Sequence, residues 1–114
     1  DPETDTPPVL EAYKQRFDVG GSQKWHFITG DRETIYQLAQ AYFLTAMKDS
    51  AAEGGYTHSQ SAVIIDWNGD IRTRLDDQNQ ILGAYDVSQP VQVDELVEDL
   101  RVLVKEYRQQ KMGK

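Results

Sequence analysis

Cysteine is missing from this chain altogether. Its own residues therefore offer no disulfide, no thiolate nucleophile and no thiolate metal site, and the redox compartment is left undecided. Long apolar runs are missing too. Nothing approaches the ~20 residues that span a bilayer, and no signal-peptide pattern is visible. Basic residues never gather into a patch. With 12 Lys and Arg against 19 Asp and Glu, the net charge of −7 is the wrong sign for nucleic acid, which is bound through clustered cations that displace counterions. Histidine is scarce, at two residues, His26 and His58. The chain opens on Asp1-Pro2-Glu3-Thr4 without an initiator Met, so a mature, processed or trimmed product is expected.

What remains is ordinary globular material. With 39% hydrophobic and 27% charged residues over 114 positions, the chain has the composition and length of one domain able to bury a core. The stretch Tyr56-Thr-His58-Ser-Gln-Ser-Ala62-Val-Ile-Ile65-Asp66-Trp-Asn68-Gly69-Asp70 organises the rest. Ala62–Ile65 is an unbroken apolar run rich in β-branched residues, which predicts a strand buried on both faces. Asn68-Gly69 predicts a tight hairpin turn with positive φ at both residues. Ile71–Leu75 alternates apolar and polar, as the returning arm should.

Around this hairpin the periodicity predicts helices. Asp5-Thr6-Pro7-Pro8 reads as a helix start with Asp5 or Thr6 as N-cap and proline in the first turn. Val9, Leu10, Tyr13 and Phe17 follow on one face, and Gly20-Gly21 is the expected stop. Lys24–Ile28 is a strand candidate. Asp31 is the expected cap of a second helix with Ile35, Leu38, Ala39, Tyr42 and Phe43 as its stripe. Residues 48–57 read as a loop, and 76–90 as a long polar connection with an apolar island at Ile81-Leu82. A last helix carries Leu96, Val97, Leu100, Leu103, Val104 and Tyr107. Its early acids (Asp94, Glu95, Glu98, Asp99) and late bases (Lys105, Arg108, Lys111) both suit the macrodipole. The expected order is α-β-α-β-β-α, an α/β sandwich. Three strands are few for a buried central strand, so part of the sheet is expected outside this sequence. The piece alone should then self-associate through that strand edge or be only marginally folded.

Candidate ligands are few. Two histidines from different strands can share copper or zinc, but Trp25-His26-Phe27 reads equally as a strand face with an ordinary packed or edge histidine. His58 precedes the central strand, where an imidazole at a sheet end can act as a ligand. Asp66-Trp-Asn-Gly-Asp70 mimics the start of a calcium loop, yet the sixth position is Ile71 rather than Gly and the twelfth Asp77 rather than Glu, so a hairpin explains it better. Asp76-Asp77 reads as solvated loop, and Gly20-Gly21 and Gly54-Gly55 lack the strand–glycine–helix context of a phosphate site.

The segments also follow a known order. Asp1-Pro-Glu-Thr-Asp5-Thr-Pro7 with Leu10 and Tyr13 resembles the opening "DPERDTP…L..Y" of the second half of Sco/SenC proteins. Trp25-His-Phe-Ile-Thr-Gly30 resembles their "W.FLTG" segment, and Gln37–Tyr42 the helix after it. Tyr56-Thr-His58-Ser59, with Asp66 and Gly69 beyond, resembles "DHS…YLIDPDG". Thr57 stands for the usual Asp, and Asp66-Trp-Asn-Gly for Asp-Pro-Asp-Gly. The resemblance covers about residues 1–75 and, more loosely, the last helix.

It implies a thioredoxin-like (glutaredoxin/peroxiredoxin-type) fold seen as its C-terminal part over residues 1–114. It also implies copper binding and delivery to cytochrome c oxidase during assembly. The implied metal set is one histidine, at His58 here, and two cysteines of a Cys-x-x-x-Cys motif that lies in the family's N-terminal half and not in this chain. His26 matches no ligand of that set. The implied partners are the copper-bearing oxidase subunit and the N-terminal half of the same domain. The implied setting is extracytoplasmic: periplasmic, anchored facing the periplasm by a segment outside this sequence, or the mitochondrial intermembrane space. No enzymatic activity is expected of this chain. Two rival readings are a thiol-disulfide oxidoreductase acting on the oxidase subunit's cysteines, and a metal-free interaction module.

Overall fold

The computed structural model describes residues 1–17, 24–42, 46–48 and 56–113, the side chains at 46–48 and 56–58 excepted. It contains α1 (Pro7–Arg16), α2 (Arg32–Ala41), β1 (Ala46–Lys48), β2 (Tyr56–His58), β3 (Ser61–Ala62), β4 (Ile64–Ile65), β5 (Ile71–Arg72), β6 (Tyr85–Asp86) and α3 (Pro90–Met112). Two compact units divide the chain between Thr57 and His58.

In the first unit, α1 begins as the proline pair predicts, with Thr6 as an extended N-cap that makes no side-chain bond. Asp1 organises the turn before it. Its carboxylate accepts from the Glu3 N–H at 3.1 Å and from the Thr4 hydroxyl at 3.0 Å, and it pairs with Arg32 at 2.7 Å. The start of α2 is thereby tied to the head of α1. Asp31 caps α2 as expected, accepting from the Thr34 N–H at 2.9 Å, and those bonds hold its pKa below the usual carboxylate value. Lys24–Ile28 is not a strand: 25–30 carry no regular structure and no ladder among the described residues, because a strand exists only where a neighbour takes its N–H and C=O groups. Phe27 instead meets Tyr13 of α1 edge-on at 5.8 Å. The expected loop over 48–57 also changes, since β1 and β2 pair as a two-stranded ribbon. The stop at Gly20-Gly21, the pair Gly54-Gly55 and Phe43 lie outside the described residues.

The second unit sets two antiparallel strand pairs, β3 with β6 and β4 with β5, beside one long helix. The expected strand at 62–65 is interrupted at Val63. Its first part, β3, pairs antiparallel with β6 (Ala62↔Tyr85), and its second part, β4, pairs antiparallel with β5 (Ile64↔Arg72). Only Ile64 is buried, at 5% exposure, while Ile65 is 37% exposed. Burial on both faces is therefore not observed. Side chains alternate across a strand: Ile64 enters the core beside Leu103 of α3, while Ile65 borders a groove at the edge of that helix and stays open to solvent.

The turn after β4 is closed by Asp66 and Asp70. The Asp66 N–H donates to the Asp70 carbonyl at 2.9 Å and the Gly69 N–H to the Asp66 carbonyl at 3.0 Å. Gly69 takes the left-handed conformation at φ 89°, but Asn68 does not. The loop is thus the longer type with one left-handed residue, not the two-residue turn expected. The segment 76–90, expected as a connection, holds a second turn of the same design. Asp76 N–H donates to the Gln80 carbonyl at 2.7 Å, Asn79 N–H to the Asp76 carbonyl at 2.9 Å, and Asn79 is left-handed at φ 61°. A bridge between Leu75 and Ile81 completes that hairpin.

The core joins three elements: Ile64 of β4, Tyr85 of β6 and Leu103 of α3, with Leu82 and Leu96 packed against it. Among the described residues no others are buried. The acids of α3 lie beyond its first turn, too far along for a strong dipole interaction. They serve the sheet instead.

Candidate metal site

His58 is the last residue of β2 and the first of the second unit. Its backbone position follows from the ribbon that β2 makes with β1. From there the chain passes through half-buried Ser59 to Gln60, whose carbonyl accepts from the Val87 N–H at 2.9 Å, and enters β3. A histidine thus ends one paired strand and precedes another. His26 is exposed in the irregular stretch 25–30 of the first unit. There it lines a cleft of about 350 Å³ with Pro7, Leu10, Lys14 and Trp25. Among the described residues, no three His, Cys, Asp or Glu side chains are grouped to hold a metal.

The calcium-like Asp66 turn is chemically committed elsewhere. The Asp66 side chain is 2% exposed. It accepts from the N–H groups of Asn68 at 2.9 Å and Asp70 at 3.1 Å, and from Arg72 at 3.1 Å. Burial pushes its pKa up, and these three donors outweigh that push and hold it below the usual value. With its lone pairs directed at protein donors, this carboxylate fastens a hairpin. Asp76 does the same for the second turn, accepting from Gln78 at 2.9 Å and Gln80 at 2.8 Å.

The dense polar cluster of the second unit lies between β5 and α3, and sequence reasoning missed it. Arg74 forks onto Asp99 through Nε and Nη2, both at 2.9 Å, and also reaches Glu98 at 3.2 Å and Glu95 at 3.3 Å. Tyr85 donates its hydroxyl to Asp99 at 2.6 Å. Arg72 bridges Asp66 and Glu106 at 3.1 and 2.9 Å. The hydrogen bond from Arg74 lowers the Asp99 pKa, against the opposing push of burial. Burial, with the hydrogen bond to Asp99, raises that of Tyr85. Each cation faces acids, so the cluster locks helix to sheet. The polar residues of Ile71–Leu75 were the visible signal, but their partners stand 25 and 34 residues away, beyond any local pattern.

A profile of the family described as SCO1/SenC matches residues 1–105. No curated protein and no solved structure matches the chain. The matched span takes in the Asp1–Pro7 opening, the Trp25–Gly30 stretch, His58 and the Asp66–Gly69 turn. The family is thioredoxin-like, and the mixture of helices with small antiparallel sheets is compatible with that class. Matched over nearly its whole length, this chain belongs to the SCO1/SenC family.

Proposed function

We propose that the chain is part of a copper carrier for assembly of cytochrome c oxidase, and that His58 is the one metal ligand it contributes. The observation that carries the reading is the family match, which spans the Thr57-His58-Ser59 segment. Copper is the cargo. Soft thiolates favour Cu(I), and an added imidazole suits Cu(II) as well, so a mixed set serves a carrier of both states. This chain has no cysteine, so the thiolates come from residues outside it. Such a site needs deprotonated thiols and a neutral imidazole, and copper affinity falls at acid pH. The recipient is the copper-bearing oxidase subunit, met on the extracytoplasmic side of a membrane. This chain itself brings no attacking thiolate to thiol-disulfide exchange, so that rival activity of the full-length protein would rest on the same outside cysteines.

Copper titration of the full-length gene product tests this. His58→Ala should weaken binding with the fold intact, and His26→Ala should leave binding unchanged. Loss of affinity in His26→Ala alone would mean that the wrong histidine is assigned. The 114-residue chain alone should yield its copper to a tight Cu(I) chelator and show no insulin reduction. Retained copper, or turnover, would overturn the reading.

A further inference from the structure

The Asn68-Gly69 step at the tip of the first hairpin carries chemistry that the turn itself governs. Both residues are exposed. An asparagine amide followed by glycine is open to attack by its own main chain, since glycine has no Cβ to crowd its nitrogen. The Gly69 nitrogen gives its proton to solvent and bonds to Cγ of Asn68. The Cγ–Nδ2 bond breaks, and Nδ2 takes up a proton and leaves as ammonia. Water then opens the cyclic imide. Opening at the side-chain carbonyl gives aspartate, and opening at the main-chain carbonyl gives isoaspartate, whose main chain runs through an added methylene.

The fold holds this nitrogen back. The Gly69 N–H donates to the Asp66 carbonyl at 3.0 Å. On either side of it the N–H groups of Asn68 and Asp70 donate to the Asp66 carboxylate at 2.9 and 3.1 Å. A bonded amide keeps its proton and its place, so the nitrogen is released when the turn opens locally. Asp66 is tied in addition to Arg72 at 3.1 Å, and Arg72 to Glu106 of α3 at 2.9 Å.

We propose that Asn68 is a self-modification site guarded by the Asp66 clasp: opening of the turn frees the Gly69 nitrogen, and conversion of Asn68 to isoaspartate then keeps the turn from closing. The added methylene parts the Asn68 N–H from those of Gly69 and Asp70, so Asp66 no longer gathers all three. The conversion runs one way, with water as co-reactant, and loosens the hairpin from α3. It does not draw on the copper reading. The second turn supplies an internal comparison. Asp76 holds it by the same bonds, to Gln78 and Gln80, but Gln78 and Asn79 stand where Asn68 and Gly69 do in the first.

Incubation of the full-length gene product at neutral pH tests this, with peptide mass mapping and chromatography that separates aspartate from isoaspartate peptides. Asn68 should convert slowly in the folded protein and about tenfold or more faster in urea, while Asn79 stays intact over the same period. Arg72→Gln should speed conversion in the folded protein about three- to tenfold, because Asp66 loses a charged hydrogen-bond partner. Asp66→Ala should speed it further. Purified isoaspartate protein should unfold at lower urea than the Asn68→Asp variant, which adds the charge without lengthening the main chain. Should Asp66→Ala fail to fold, Arg72→Gln carries the test. Equal rates with and without urea, a rate unmoved in Arg72→Gln, an Asn68 that stays intact even in urea, or an isoaspartate protein as stable as Asn68→Asp would each overturn the proposal.

Discussion

Three aspartates ten residues apart fold the second unit locally. Asp66 and Asp76 each bond the backbone N–H groups two and four residues on. Asp86 takes the N–H and hydroxyl of Ser88 at 2.9 and 2.6 Å on the way into α3. A short carboxylate that mimics a backbone acceptor makes such turns independently of tertiary packing. The first turn was legible in the sequence because Asn68-Gly69 advertises a left-handed residue. The second was not, because Asn79 fills that role with no glycine beside it. Gly69 has open space around a prospective Cβ and φ of 89°, so the cost of Gly69→Ala is backbone alone. It should destabilise by about 1–2 kcal/mol. Gly30 also has open space but no positive φ. Gly30→Ala should instead be neutral or stabilising by roughly 0.4–1 kcal/mol through the unfolded chain. Urea midpoints of the two variants check both signs.

At the level of elements, α3 was the most legible and its attachment the least. A helix of 23 residues declares itself through its own periodicity. What it rests on does not, since Arg72 in β5 and Arg74 just beyond it lie in a stretch that reads only as alternating. The attachment makes the unit sensitive to acid. Asp66 and Asp99 have folded pKa values below the ordinary one. Their contribution is therefore complete above the unfolded aspartate value of about 3.9 and is lost as pH falls through the lower folded values. The urea midpoint should stay flat from neutrality to about pH 5 and fall below about pH 4. Asp99→Asn should flatten that acid limb. Tyr85 behaves oppositely. Its raised pKa gives stability that is full below the unfolded tyrosine value of about 10 and lost at higher pH. Tyr85→Phe should remove this alkaline limb. Limbs unchanged in both variants would show that the cluster does not hold the helix.

On the scale of the molecule, each compact unit contains one of the two tryptophans, Trp25 and Trp67. Trp25 is 58% exposed, whereas Trp67 meets the Tyr107 ring in a tilted contact at 5.1 Å. Every buried residue described belongs to the second unit. Fluorescence of Trp25→Phe and Trp67→Phe chains should therefore give two different urea transitions, the Trp67 signal moving at the higher concentration. Coincident curves would mean one cooperative block. The metal assignment was the least readable part of the sequence. Position in the chain favoured His58 over His26 only slightly, since a ligand is identified by the ligands around it and this chain holds no cysteine to mark them. The ordered run of family segments is what widened the preference for His58.

The paired aspartate turns also set a timetable. Their bonds join residues at most four apart, whereas the helix is fastened across 25 and 34 residues. Short loops close fast and at little entropic cost, and hairpins form within about 1–10 μs. The two aspartate hairpins are thus laid down first, ahead of the distant β3–β6 pairing, and offer Arg72 and Arg74 as a ready pair of hooks. Capture of α3 by those hooks becomes the slow event, and the folding rate of the unit is governed by the helix and not by its turns.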